Sequence, residues 1–212
     1  MSEPKINKYL SRDGFSLVEL IITIAIMAVM VGGAALSIGL LRSADTQGLA
    51  SGINSSLTDL KAYSESQRGP IYLCIYKVDG DGYYAHFGFP DPTGVSTDKP
   101  QDFDGTKKDG DHKLGSDSMT VKVVYPAGTY PPDDEIELTD GGDFAAIQIQ
   151  KKDGAYVDVM QESPDPYDPT KTVETVFQPV PECFEIYKSG ETTPDYKVVL
   201  AKETGLHYSE QQ

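Results

Sequence analysis

Residues 14–30 of the sequence read GFSLVELIITIAIMAVM, and they begin an apolar run that extends from Phe15 to Leu41. Glu19 is the single charged side chain in that run. As a helix rising about 1.5 Å per residue, the run is longer than the roughly 30 Å of hydrocarbon in a bilayer. The sequence therefore predicts a helix over residues 15–41 that is able to span a membrane.

The residues before this run, 1–14, form a short polar leader. Its charged side chains are three basic and two acidic ones: Lys5, Lys8, Arg12, Glu3 and Asp13. Basic residues beside a membrane span favour the cytoplasmic side. We therefore expect the leader to stay in the cytoplasm and the residues after Leu41 to be extracytoplasmic.

A basic leader ending in Gly14, followed by Phe15 and by Glu19, resembles the N-terminal signature of type IV pilins, competence pilins and type II secretion pseudopilins. In that family the phenylalanine becomes the methylated N-terminus and the glutamate stands at the fifth mature position. The resemblance implies that a prepilin peptidase cuts between Gly14 and Phe15. It also implies that this enzyme N-methylates Phe15, using its own active site and S-adenosylmethionine.

The same resemblance implies a function and a location. The chain would be a structural subunit, major or minor, of a type IV pilus or a type II secretion-like filament. Its partners would be other pilin subunits and the inner-membrane assembly platform. Before assembly it would be a single-pass membrane protein, and afterwards part of a pilus or pseudopilus at the cell surface. A monomeric, membrane-anchored protein for surface binding or adhesion is the alternative.

Glu19 is the residue in the apolar run that most needs an explanation. A carboxylate in hydrocarbon costs a few kcal/mol even on lenient insertion scales, so it needs a partner. Cleavage after Gly14 would create an ammonium group at Phe15, and the resemblance implies that Glu19 of one subunit pairs with that group of a neighbour. An ordinary signal anchor, or a signal peptide cut near Gly33-Ala34-Ala35, would explain the apolar run but not the position of Glu19.

The helix is predicted to continue beyond the apolar run. Leu49, Ile53, Leu57 and Leu60 recur at helical spacing among polar residues, which indicates an amphipathic helix over residues 42–68. We expect it to end at Arg68-Gly69-Pro70. Many major pilins carry a helix-kinking proline where this chain has Leu36, and Gly32-Gly33 could be the weak point instead.

The head, residues 69–212, reads as a single antiparallel β-sheet packed on that helix, so the expected fold is α+β and pilin-like, with the first half of the long N-terminal helix in the membrane. Asp79-Gly80-Asp81-Gly82 is a hairpin-turn signal, residues 90–117 read as a long exposed loop, and residues 209–212 are expected to fray. The predicted strands are Ile71–Val78, Tyr83–Phe89, Met119–Tyr125, Glu135–Leu138, Phe144–Gln150, Tyr156–Met160, Thr172–Phe177, Glu182–Tyr187 and Tyr196–Ala201.

The two cysteines, Cys74 and Cys183, both lie in the head. In an oxidising compartment they could form a disulfide across a loop of roughly a hundred residues, or they could be two unconnected small apolar residues.

The formal net charge of -15 disfavours direct nucleic-acid binding because the phosphate backbone would be repelled.

Metal-binding and catalytic motifs are weak or lacking in the sequence. Seven aspartates fall in two loops, and some pseudopilins bind calcium in a head loop, but the EF-hand spacing fails. Calcium in a head loop is therefore left open as a minor alternative, no other cofactor is expected, and no metal ligand is assigned. Three isolated histidines, His86, His112 and His207, match no catalytic motif, so we do not expect an enzyme. The aspartates are Asp79, Asp81, Asp102, Asp104, Asp109, Asp111 and Asp117.

Overall fold

A computed structural model of the chain describes residues 16–66, 71–89, 100–129, 134–140, 142–164 and 171–212. The chain divides into two compact units, Met1–Leu41 and Arg42–Gln212. The expected α+β class is confirmed, because an N-terminal helix is followed by antiparallel β-sheets. The second unit contains the last part of the helix and all the strands.

The helix α1 extends over Leu17–Ser66. Its predicted end at residues 68–70 lies outside the described residues. In the second unit, the predicted apolar stripe of Leu49, Ile53, Leu57 and Leu60 is confirmed, since all four side chains are fully buried. The spacing of four, four and three residues keeps them on one side of the helix, where they join the main hydrophobic core.

The described residues contain twelve strands and one short 3-10 helix, Pro100–Asp102. The strands are β1 (Tyr72–Val78), β2 (Gly82–Gly88), β3 (His112–Gly115), β4 (Met119–Val124), β5 (Glu135–Glu137), β6 (Phe144–Ile149), β7 (Tyr156–Val157), β8 (Val159–Pro164), β9 (Thr172–Gln178), β10 (Cys183–Lys188), β11 (Tyr196–Ala201) and β12 (Leu206–Gln211).

These strands form two five-stranded sheets and a separate two-stranded one. The first sheet has the order β3-β2-β1-β6-β7, the second the order β12-β11-β10-β4-β5, and β8 pairs with β9. Every pairing is antiparallel. The expectation of a single sheet was wrong, because residue periodicity locates strands but does not say which of them pair.

The main core lies between the two five-stranded sheets and the second-unit part of α1. Leu73 and Ile75 of β1 face it from the first sheet, while Phe184 and Ile186 of β10 face it from the second. The residues between them in sequence point the other way, because successive side chains of a strand alternate between faces. Gly52 of α1 packs closely against the backbone of Leu114 in β3, since a Cβ added to Gly52 would lie 3.2 Å from the Leu114 carbonyl oxygen.

The turn between β1 and β2 confirms the predicted hairpin. Val78 pairs with Gly82, and Gly80 has a φ of 66°, which is in the left-handed region that glycine tolerates. Gly82 has a φ of 133°, and a Cβ on it would lie only 2.1 Å from the carbonyl oxygen of Gly115. Glycine is therefore required at this turn for both conformation and space.

Two predictions about irregular segments were wrong. Part of the expected loop over residues 90–117 forms β3, and Phe103 in the same segment is buried in a second hydrophobic cluster on the outer face of β1. The C-terminus does not fray, because β12 pairs with β11 over its whole length. Both strands escaped detection because their side chains are mostly exposed or half-buried, so no apolar alternation marks them.

The predicted strand over residues 156–160 is divided between two sheets. Tyr156 pairs with Ile149 of the first sheet, whereas Met160 pairs with Val176 of β9. Asp158 lies between these strands and accepts a hydrogen bond from the backbone of Val180 at 2.9 Å. The chain therefore passes from the first sheet to the pairing with β9 at this residue.

His207 of β12 links the second sheet to α1 and to β7. Its Nδ1 lies 2.8 Å from the Tyr156 hydroxyl, and its Nε2 lies 3.1 Å from the Thr58 hydroxyl. The Thr58 hydroxyl donates to the carbonyl oxygen of Asn54, so it can accept from Nε2–H, and in the neutral ring Nδ1 then accepts from the Tyr156 hydroxyl. Burial lowers the pKa of His207, so the folded chain favours the neutral ring that this arrangement requires.

We predict that this link makes the head less stable in mild acid. A histidine with a lowered folded pKa contributes its full stability above its ordinary pKa of about 6.5 and loses it as the pH falls through that range. His207→Gln should therefore flatten the pH dependence of the free energy of unfolding between pH 7 and 5. Denaturant titrations followed by near-ultraviolet circular dichroism would measure this, with the exposed His112→Gln as control. Equal slopes in wild type and His207→Gln would contradict it.

Candidate functional site

The first part of α1 exposes an unusual amount of apolar surface. Eleven large apolar side chains between Leu17 and Val31 are each more than half exposed, from 53% for Ile22 to 76% for Val29. They include consecutive positions such as Leu20, Ile21 and Ile22, which lie about 100° apart around a helix and so cover several of its sides. An apolar surface of this extent marks a site of interaction with other apolar surfaces.

Glu19 is the sole ionisable side chain among residues 16–33, and it lies in the first turn of α1. Its side chain is exposed. The N-terminus of a helix carries a partial positive charge, which favours a carboxylate at this position. The structure therefore places a single negative charge at the beginning of a helical segment, residues 17–33, whose other exposed surface is almost wholly apolar.

Ser16 caps the helix immediately before that charge. Its hydroxyl oxygen accepts a hydrogen bond from the backbone of Val18 at 3.3 Å, and its carbonyl oxygen accepts one from Leu20 at 3.1 Å. Ser16 and Glu19 have the serine-x-x-glutamate spacing of a capping box. This role of Ser16 was missed in the sequence, although the spacing alone could have indicated it.

A further hydroxyl of this segment is satisfied within the helix. The Thr23 hydroxyl donates to the carbonyl oxygen of Glu19 at 2.7 Å, which removes a free donor from the apolar surface. The helix continues through Gly32 and Gly33 without a break. The predicted cleavage and methylation residues, Gly14 and Phe15, lie outside the described residues. Among the described residues, no helix is both long enough and apolar enough to span a membrane.

The disulfide suggested by the two cysteines is not present. Cys74 is buried in the cluster on the outer face of β1, while Cys183 alternates with the core residues Phe184 and Ile186 and so lies on the outer face of the second sheet. The two thiols thus point away from the core on different sheets. Burial raises the pKa of the Cys183 thiol to about 11, so it stays protonated near neutral pH.

We predict that reductant does not change the stability of the chain. A disulfide between Cys74 and Cys183 would close a loop of roughly a hundred residues and contribute about 4 to 5 kcal/mol in the chain-entropy model. Urea unfolding of protein prepared under oxidising conditions should give the same midpoint with and without dithiothreitol. The double variant Cys74→Ser with Cys183→Ser, unable to form the bond, is the reference. A midpoint that falls only for the wild type on reduction would show that the bond forms.

The loop aspartates considered for calcium mostly bind protein groups. Asp81 accepts hydrogen bonds from Lys113 at 2.6 Å and from Lys107 at 3.0 Å, and these bonds hold the pKa of Asp81 well below its usual range. Asp104 is paired with Lys108 at 2.8 Å. Among the described residues, no group of three or more histidine, cysteine, aspartate or glutamate side chains is arranged to hold a metal.

Asp111 and His86 form a buried pair. Their side chains meet at 2.7 Å, and the Asp111 side chain is only 2% exposed. Asp111 also accepts hydrogen bonds from the Tyr76 hydroxyl and from the backbone of Lys108 at 2.7 Å, while the His86 ring stacks on Phe103. The pair therefore fastens the segment that contains Phe103 and Lys108 to the outer face of the first sheet.

Comparison with known proteins points to the N-terminal segment. The model of a family described as the prokaryotic N-terminal methylation motif matches residues 10–35. This range contains Gly14, Phe15, Ser16 and Glu19, together with the exposed apolar surface of α1. No curated protein and no solved structure is significantly similar to the chain.

Proposed function

We propose that this chain, which carries the methylation motif that is the signature of type IV pilins and pseudopilins, is a structural subunit of a type IV pilus or a type II secretion-like filament. The observation that carries the proposal is the exposed apolar surface of α1 with Glu19 as its one charge. Such a surface needs an apolar environment, which the membrane supplies before assembly and neighbouring helices supply afterwards.

Processing prepares the subunit for assembly. The motif implies recognition by a prepilin peptidase, which would cut after Gly14 and methylate Phe15. Until then the uncut leader keeps the N-terminus polar and cytoplasmic, and residues 15–41 hold the chain in the membrane with the head outside the cytoplasm. Cleavage replaces a peptide bond by an ammonium group close to Glu19 in sequence, so the charge that Glu19 needs arises only at maturation.

Assembly then follows from the pairing of charges in an apolar surrounding. The inner-membrane assembly platform would deliver the mature subunit to the growing filament. There, Glu19 of one subunit pairs with the Phe15 ammonium of a neighbour, and the apolar side chains from Leu17 to Val31 pack between helices. A charge pair surrounded by apolar groups fixes position strongly, because leaving one partner buried and unpaired costs about 3–5 kcal/mol. The function proposed is therefore assembly, with no catalytic step by the chain itself.

Replacement of Glu19 tests this proposal. Glu19→Ala should leave cleavage largely intact and reduce incorporation into filaments by about tenfold or more, because the neighbour's ammonium group loses its partner. The measurement compares mature protein in the membrane with protein in the sheared filament fraction of the native cells. Glu65→Ala, which removes an exposed glutamate from the other end of α1, is the matched control.

Two results would count against the proposal. Entry of Glu19→Ala subunits into filaments as efficiently as wild type would contradict the charge-pairing mechanism. Recovery of the wild-type protein only as a membrane-bound monomer, and never in a filament, would favour a membrane-anchored binding or adhesion protein instead.

A further inference from the structure

The second sheet ends in an unprotected edge strand. Edge strands expose backbone N–H and C=O groups that can pair with another chain, and proteins usually limit this with short strands, bulges, lysine or proline. The edges β5 and β7 have three and two residues, and β3 has four with an irregular register against β2. In contrast, β12 has six residues in unbroken register with β11, without lysine or proline, and five of the six are exposed.

The hydrogen bonds around β11 show which backbone groups of β12 point outward. Leu200 of β11 donates its N–H to the carbonyl oxygen of Glu182, just before β10, at 2.9 Å. Its partner His207 is therefore in a non-hydrogen-bonded pair, so the N–H and C=O of His207 point away from β11. Because this pattern alternates along a strand, Ser209 and Gln211 also direct these groups outward. Within the described part of the chain, no hydrogen bond uses them.

The outer face of the sheet is apolar where it meets this edge. Tyr208 is 51% exposed and Leu206 is 61% exposed. The register places Tyr208 beside Val199, Cys183 and Val124 on successive strands, and these three residues are half-buried. An apolar row therefore crosses four strands and ends at Tyr208, which has no cross-strand neighbour on its outer side.

We propose that β12 of one copy of this chain pairs antiparallel with β12 of a second copy, with the two Tyr208 side chains opposite each other. The apolar row then continues into the second copy, and each tyrosine gains an aromatic neighbour. The outward backbone groups of His207 in each copy bond to those of Ser209 in the other. A second copy fits this edge because two identical antiparallel strands are related by a two-fold axis, so each one presents the groups that the other needs.

Charge selects this register over its neighbours. A contact centred on Glu210 would place two carboxylates directly opposite each other. One centred on Ser209 would leave them on one face at the diagonal spacing of about 7–8 Å. The contact centred on Tyr208 places Glu210 opposite Leu206 of the other copy, and it moves the two carboxylates a further two residues apart along the strands. In a chain with a net charge of -15, this register has the least repulsion at the edge.

The other edge of the same sheet is a poorer partner for β12. Two of the three residues of β5, Glu135 and Glu137, are acidic, so a contact of β12 with β5 of another copy would bring them near Glu210. The β12 to β12 contact instead uses one edge twice. It is isologous and closes at two copies, so it joins heads in pairs and goes beyond helix-driven assembly without depending on Glu19.

Cysteine scanning of β12 in the full chain, in detergent micelles, tests the contact and its register. The background is the double variant Cys74→Ser with Cys183→Ser. Tyr208→Cys places two thiols in a non-hydrogen-bonded pair, whose Cα atoms lie about 4.5 Å apart and can be joined by a disulfide. On mild oxidation it should form covalent dimers about tenfold faster or more than Ser209→Cys, whose Cα atoms lie beyond disulfide reach. Lys152→Cys, at an exposed position elsewhere, is the control.

A lysine at position 206 gives the sharpest result. Lysine on an edge strand ordinarily opposes pairing. In this register Leu206→Lys instead meets Glu210 of the other copy, twice in each dimer, so the dimer dissociation constant measured by sedimentation should fall by about threefold or more. The matched control is Leu206→Gln, which is polar without the charge. Adding Glu210→Lys to Leu206→Lys should abolish the gain, because two lysines then meet.

A proline tests whether the contact uses the backbone. Ser209→Pro removes an outward N–H and leaves the hydrogen bonds to β11 in place, since proline is tolerated where the N–H of an edge strand faces solvent. It should weaken the dimer by about tenfold or more, because the N–H that bonds to His207 is lost from each copy. Ser209→Ala, which keeps the N–H, should dimerise like wild type.

Four outcomes would overturn the proposal once near-ultraviolet circular dichroism has shown that each variant is folded. They are Tyr208→Cys that cross-links no faster than Lys152→Cys, faster cross-linking at position 209 than at 208, Leu206→Lys that does not strengthen the dimer, and Ser209→Pro that dimerises like wild type. The last two variants keep both native cysteines, so they decide the question even if the cysteine-free background does not fold. Because Glu19→Ala should leave this contact unchanged, its failure is distinguishable from failure of the helix-based assembly.

Discussion

A single carboxylate at the beginning of an exposed apolar helix determines which surroundings this chain can occupy. Between residues 16 and 33 the chain offers no other ionisable group, so the charge of Glu19 cannot be neutralised by a neighbour in the same segment. A surface of this kind is unfavourable in water because of its apolar side chains and unfavourable in lipid because of its carboxylate. Pairing with a positive group inside an apolar assembly satisfies both requirements.

The two parts of α1 use the same helical geometry for different purposes. In the second unit, Leu49, Ile53, Leu57 and Leu60 form one buried stripe against the sheets, and the remaining sides of the helix are mostly polar. In the first unit the apolar residues occupy successive positions and remain exposed. The first pattern belongs to a helix that completes its own domain, and the second to a helix that needs other molecules.

The features that depend on local pattern could be predicted from the sequence, whereas those that depend on long-range pairing could not. Helical spacing identified the stripe of α1, the Asp-Gly-Asp-Gly turn identified the hairpin of β1 and β2, and the methylation motif matches the segment recognised from its prepilin signature.

The assignment of strands to two sheets rests instead on pairing between distant residues, such as Cys183 with Val124. Strand β12 has exposed side chains on both faces, so it shows no alternation and resembled a frayed terminus. Long-range pairing also explains why the separation of Cys74 from Cys183 could not be predicted. The positions of two cysteines in a sequence do not indicate which sheet each one joins.

The N-terminus of the mature protein, isolated from its native cells and determined by sequencing and intact mass, tests whether Glu19 acquires its partner by proteolysis. If it does, the chain begins at Phe15 and carries one methyl group on its α-amino nitrogen. A chain that still begins at Met1 would contradict the pairing, because Glu19 would then have no adjacent ammonium group, and a chain that begins near Leu36 would contradict it because Glu19 would have been removed.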